Sequence, residues 1–186
     1  MKTNTRKLVL GAILTALVIV LQFMGAFIKL GPFSISLVLV PIAIGAATCG
    51  TRIGAWLGLI FGLVVLYSGD AAAFLAINIP GTVITVLAKG ILCGLVSGIV
   101  YNALKGKNKT LAVIACAITC PIVNTGVFLL GCVLFFMDTI TLWAAGSNVV
   151  YYMFFVLVGG NFLFELGVNI ILSPVIVRIL NIRSKK

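Results

Sequence analysis

Pro80 to Leu104 reads PGTVITVLAKGILCGLVSGIVYNAL, a run whose single charged residue is Lys89. An α-helix rises 1.5 Å per residue, and roughly 20 apolar residues cross the hydrocarbon of a bilayer. The run is therefore long and apolar enough to be a membrane-spanning helix. Gly90, Gly94 and Gly98 lie four apart within it, and helical spacing puts them on one face. Small residues on one face let two membrane helices approach closely.

The rest of the chain repeats this pattern. Of 186 residues, 62% are hydrophobic and 9% charged, and the mean hydropathy is +1.31. Such a composition excludes an ordinary soluble domain. Nearly uncharged runs predict spans at 8–26, 34–49, 53–67, 80–104, 111–137 and 151–180. The expected fold is an all-α integral membrane protein, a compact bundle of six transmembrane helices forming one domain over 1–186. Spans two and three are short. Spans five and six exceed what the bilayer requires, and Pro121 and the Gly159-Gly160 pair mark their expected irregular points.

The net charge of +10 does not indicate a nucleic-acid partner, because the basic residues sit between apolar runs and form no patch. Lys2, Arg6 and Lys7, then Arg52, then Lys105, Lys107 and Lys109, then Arg178, Arg183, Lys185 and Lys186 fall at alternate connections. The opposite connections hold Lys29 alone among basic residues. This is the positive-inside pattern, and it predicts that both termini are cytoplasmic. The first apolar run resembles a signal peptide in its basic start but is longer than a signal core, so it reads as a retained helix.

Gly50, Gly54, Gly58 and Gly62 form a second stripe of small residues, and Ala12 and Ala16 a pair at the same spacing on the first helix. Packing within the bundle is the ordinary use of such stripes. No internal repeat is evident, which disfavours an inverted-repeat transporter. Cys49, Cys93, Cys116, Cys120 and Cys132 lie inside apolar runs, and the chain has no histidine. These cysteines read as small buried hydrophobes, so neither a metal site nor a cofactor is expected.

Charged side chains deep in hydrocarbon are costly and mark functional sites. Two fall inside spans, Lys89 and Glu165. Asn161, Glu165 and Asn169 are four apart and share one helical stripe, with Asn124 expected at similar depth. Lys89, Asn124, Asn161, Glu165 and Asn78 are the candidate substrate-binding residues, with Asn78 and the loops around Asp70 and Trp143 forming a lid. An ion pair between Lys89 and Glu165 with no ligand is the other reading of the same charges. Mixed signs suit a zwitterionic, weakly anionic or polar neutral ligand better than an ion channel's cargo. With three carboxylates in separate segments and no histidine, no catalytic residue is evident, and an enzyme is not expected. There is no Walker A sequence either, so any ATP-driven step needs another protein.

Three segments carry a family resemblance: Leu8-Val9-Leu10-Gly11-Ala12-Ile13-Leu14-Thr15-Ala16-Leu17, Phe33-Ser34-Ile35-Ser36-Leu37-Val38-Leu39-Val40-Pro41-Ile42, and Lys89-Gly90-Ile91-Leu92-Cys93-Gly94-Leu95. With the size and span layout, they make the chain resemble the substrate-binding S components of energy-coupling factor (ECF) transporters. These are vitamin uptake systems of bacterial and archaeal cytoplasmic membranes. The resemblance implies capture of a small water-soluble vitamin, with riboflavin, pantothenate and folate open and thiamine ranked lower. It implies as partners a transmembrane coupling protein, docked at Ala12 and Ala16, and two cytoplasmic ATPase subunits. In that scheme the S component topples in the membrane to carry its pocket inward. A self-sufficient carrier or channel, or a structural membrane protein, remains the alternative.

Overall fold

A computed structural model describes residues 2–26, 29–30, 33–34 and 37–184. In chain order the elements are α1 (Lys2–Ala26), β1 (Lys29–Leu30), β2 (Phe33–Ser34), α2 (Leu39–Cys49), α3 (Thr51–Ser68), α4 (Ala72–Leu75), α5 (Ile79–Leu104), α6 (Lys109–Phe135), α7 (Met137–Trp143), α8 (Val149–Tyr151), a π-helical segment (Tyr152–Leu157) and α9 (Gly159–Ser184). α1, α3, α5, α6 and α9 are long and apolar enough to cross a membrane, and α2 is a shorter apolar helix.

The predicted second span begins too early. Phe33–Ser34 pairs antiparallel with Lys29–Leu30, and the helix starts only at Leu39. Ile35 and Ser36, also assigned to that span, lie outside the described residues, as do Lys185 and Lys186. Ten of the eleven residues of α2 are buried, because α1, α3, α5, α6 and α9 all pack against it. A helix apolar on every side belongs at the centre of a bundle. The Cys116 and Cys120 thiols of α6 point at the α2 carbonyls of Ala43 and Leu39, each at 3.7 Å. All five cysteines are buried and free.

Gly50, at φ +105°, makes the tight junction between α2 and α3, and Gly69, at φ +85°, ends α3. Glycine takes such angles without the steric cost of a Cβ. Asn78 and Asn108 cap α5 and α6, each accepting from backbone N–H groups of the first turn. Pro121 does not break its helix, since α6 runs through it from Lys109 to Phe135. Membrane helices tolerate such a proline where neighbours and local adjustments satisfy the freed backbone groups. The irregularity near Gly159 is present as the π-helical segment and the turn at Val158.

The two glycine stripes face each other across α3 and α5. A Cβ on Gly58 would collide with the Gly90 carbonyl, and one on Gly94 with the Gly54 carbonyl. Gly98 lies against Thr51, where a Cβ would come 2.8 Å from the Cα. Backbone therefore rests on backbone along this seam. Away from the seam and the centre, large apolar side chains such as Ile13, Leu63, Ile84, Leu134 and Ile171 face outward, as a lipid-facing surface requires.

Candidate functional site

Hydroxyls inside these helices are mostly bonded back to their own helix. Thr15 donates to the Gly11 carbonyl at 2.8 Å, Thr48 to Ile44 at 2.6 Å, Thr82 to Asn78 at 2.7 Å, and Ser97 to Cys93 at 2.6 Å. Such bonds cancel the cost of a hydroxyl in an apolar setting. Thr85, one turn along α5 from Thr82, differs in that its buried hydroxyl has no partner. The Gln22, Asn124 and Asn161 side-chain oxygens are likewise buried without a partner. All four side chains line one cavity.

That cavity lies in the half of the bundle remote from the chain termini. It is bounded by the C-terminal parts of α1, α3 and α6, the N-terminal parts of α5 and α9, and α4. The space open to the centre of a water molecule is about 90 Å³, whereas one water needs roughly 10–15 Å³ by that measure. Several non-hydrogen atoms of a ligand fit without rearrangement.

Lys89, Asn124, Asn161 and Glu165, expected together from sequence, all stand on this wall. The Lys89 ammonium sits over two rings, 5.6 Å from the centre of Phe61 and 5.3 Å from that of Phe128, a cation–π setting that helps hold a charge away from bulk water. Lys89, Asn124 and Glu165 share this wall, close enough for the amide and the two ionisable groups to influence one another. Asn169, the third member of the α9 stripe, is 1% exposed and is not part of the wall. Its amide nitrogen donates to the Glu165 backbone carbonyl at 2.8 Å.

Asn78 is a correction to the expected set. Its side chain caps α5, accepting from the Gly81 N–H at 3.0 Å, and the residue is not part of the cavity wall. An amide already serving a helix terminus is poorly placed to serve a ligand as well. Asp70, expected in a lid, lines the cavity itself and accepts a hydrogen bond from Gln22. Trp143 stands one layer back, edge-on to Phe74 at 5.6 Å, while Phe74 also meets Phe128 at 5.6 Å and Phe136 at 4.9 Å. Phe74, Phe128 and Phe136 of this aromatic cluster form part of the cavity wall.

Sequence reasoning missed Gln22, Thr85, Phe61 and Phe128. A glutamine in the apolar stretch of α1 was the one available signal, because an amide inside a span needs a partner. Ala12 and Ala16 are exposed on α1, on the face opposite the buried Gly11, Leu14 and Val18. A family model described as ECF transporter, substrate-specific component, matches residues 6–177. Neither the curated proteins nor the solved structures contain a significant match.

Proposed function

Since the chain belongs to the family of ECF transporter substrate-specific components, we propose that its cavity captures a small water-soluble vitamin on the outer side of a bacterial or archaeal cytoplasmic membrane. The observation that carries this is the group of four buried, unpartnered polar atoms around one cavity. Polar and ionisable side chains are costly inside a membrane bundle, and their convergence on one cavity is what a ligand site requires.

In this proposal the chain is a single domain of six spans, with α2 as the short sixth and both termini cytoplasmic. Arg6, Arg52, Lys105, Lys107, Lys109 and Arg178 are exposed at the bundle end that holds the termini, and the positive-inside rule assigns that end to the cytoplasm. The cavity then opens toward the outside. Lys89, Asn124, Asn161 and Glu165 contact the substrate. Ala12 and Ala16 form the docking face for the coupling protein, which their outward position leaves available. Two ATPase subunits supply the energy, and riboflavin, pantothenate or folate is the cargo.

The test is a screen of the purified protein against water-soluble vitamins by native mass spectrometry, repeated on Lys89→Ala and Asn161→Ala. A vitamin bound by the wild type and lost from folded variants supports the proposal. Uptake without any ATPase subunit would favour a self-sufficient carrier. Variants that lose stability while keeping affinity would favour a structural role for the polar stripe.

A further inference from the structure

A lysine inside a membrane bundle ordinarily has a partner for its ammonium, yet Lys89 lacks the usual kinds. The acidic side chains of the chain are Asp70, Asp138 and Glu165, and among the described residues no carboxylate oxygen lies within 4.0 Å of the Lys89 nitrogen. Nor does any oxygen of the described residues accept a hydrogen bond from it. Lys105, just past the end of the same helix, shows the contrast, since its ammonium donates to the Asn102 side chain at 2.6 Å. What Lys89 has is two phenyl faces, at 5.6 Å to Phe61 and 5.3 Å to Phe128. Rings attract a cation through their negative faces, but the three N–H donors of an ammonium are better met by oxygen. Both rings line the cavity, and the partly exposed Lys89 lines it between them.

Building on the substrate-binding reading, we infer that Lys89 is the anion-recognising group of the cavity and that the ligand is a compact molecule carrying one carboxylate, seated against the ammonium. A carboxylate supplies the accepting oxygens that the protein does not, and the resulting hydrogen bonds are charge-assisted. One negative charge is the number that fits. Lys89 is the one cation on the wall among the described residues, and Asp70 and Glu165 stand on the same wall. A phosphate ester brings close to two negative charges at neutral pH, which a single lysine beside two acidic side chains does not offset. The free space of about 90 Å³ holds on the order of six to nine water-sized groups, which sets the size of the molecule. Val65, Val86, Phe74, Phe136 and Phe162 offer apolar surface for its body. A neutral molecule of the same shape leaves the ammonium without a counter-charge and binds less tightly. Of riboflavin, pantothenate and folate, pantothenate is the compact monocarboxylate.

Calorimetry on the purified protein with two matched pairs tests this: nicotinate against nicotinamide, and pantothenate against pantothenol, in which CH₂OH replaces the carboxylate. At least one acid should bind the wild type, roughly tenfold or more tighter than its neutral partner. In Lys89→Met the ratio should fall toward one, and in Lys89→Arg, which keeps the charge, the preference for the acid should persist. A lysine that serves only the packing of the bundle would, on replacement, weaken acid and neutral partner alike. An unchanged ratio in Lys89→Met would therefore overturn the inference. So would equal binding within each pair by the wild type, or binding of neither acid, and these two results need no variant to fold. Tight capture of riboflavin without any preference for a carboxylate would overturn it and leave the transport reading standing. Selective binding of an acid with no ATP-dependent uptake by the assembled transporter would sink the transport reading alone.

Discussion

Alanine at Gly58 and alanine at Gly167 should move stability in opposite directions, although both glycines lie inside helices. Helix propensity favours the substitution at each site by about 1 kcal/mol. At Gly167 a Cβ would meet nothing within 4 Å, so that gain stands. At Gly58 the new methyl collides with the Gly90 carbonyl carbon and oxygen and comes 3.2 Å from the Ile91 nitrogen. The obstacle is backbone, which has no alternative rotamer, so α3 must move away from α5. Overpacking costs about 1–3 kcal/mol, and retreat also weakens the close contact that holds membrane helices together.

The propensity gain is common to both sites, so the expected gap between the two variants is the overpacking cost, about 1–3 kcal/mol. At about 2–4 °C per kcal/mol for a chain of this size, that is roughly 2–12 °C in Tm. A thiol-reactive fluorogenic dye can measure it in detergent, because the five buried free cysteines react only as the bundle opens. Gly90→Ala should match Gly58→Ala, and the double variant should cost less than the sum, since both methyls are relieved by one displacement. Equal Tm values for Gly58→Ala and Gly167→Ala would refute the backbone-to-backbone seam.

Thr85→Val removes a buried hydroxyl that lacks a partner at nearly constant volume, so the unliganded protein should gain about 1 kcal/mol. Vitamin affinity should fall in the same variant; a loss of Tm with unchanged affinity would place the hydroxyl outside the site. Phe74→Ala deletes the ring that joins Phe128, Phe136 and Trp143, and should raise the dissociation rate of a bound vitamin more than it lowers the association rate, as stopped-flow fluorescence would report. Ala12→Trp adds bulk to an outward face of α1, so vitamin binding by the isolated protein should persist while ATP-dependent uptake with the coupling module is lost. Unimpaired uptake in that variant would remove the docking role.

Much of the architecture was legible because its determinants are local. A long apolar run with one charge specifies a spanning helix by length and hydropathy alone, as in 80–104. Glycines four apart specify a face, and Lys89 and Glu165 are conspicuous because lipid makes charge expensive. The strand pairing of 29–30 with 33–34 was less legible, since a short apolar stretch next to a helix carries the same hydropathy in either conformation. Asn78 was misread for a related reason. An asparagine before a proline-containing helix start is a cap signal, and it competed with the reading of a polar residue near a pocket.

Composition and periodicity by themselves determined that this chain is a helical membrane protein, with polar groups kept inside its spans and small residues arranged for close packing. Only the tertiary structure decided that the stripes of α3 and α5 face each other, that α2 is enclosed, and that Gln22, Asp70, Thr85, Lys89, Asn124, Asn161 and Glu165 meet around one cavity. The physical reason is that periodicity describes one helix at a time. Which faces meet depends on contacts between residues far apart in the chain, and Thr85 looks no different in sequence from Thr82, whose hydroxyl is bonded within its own helix.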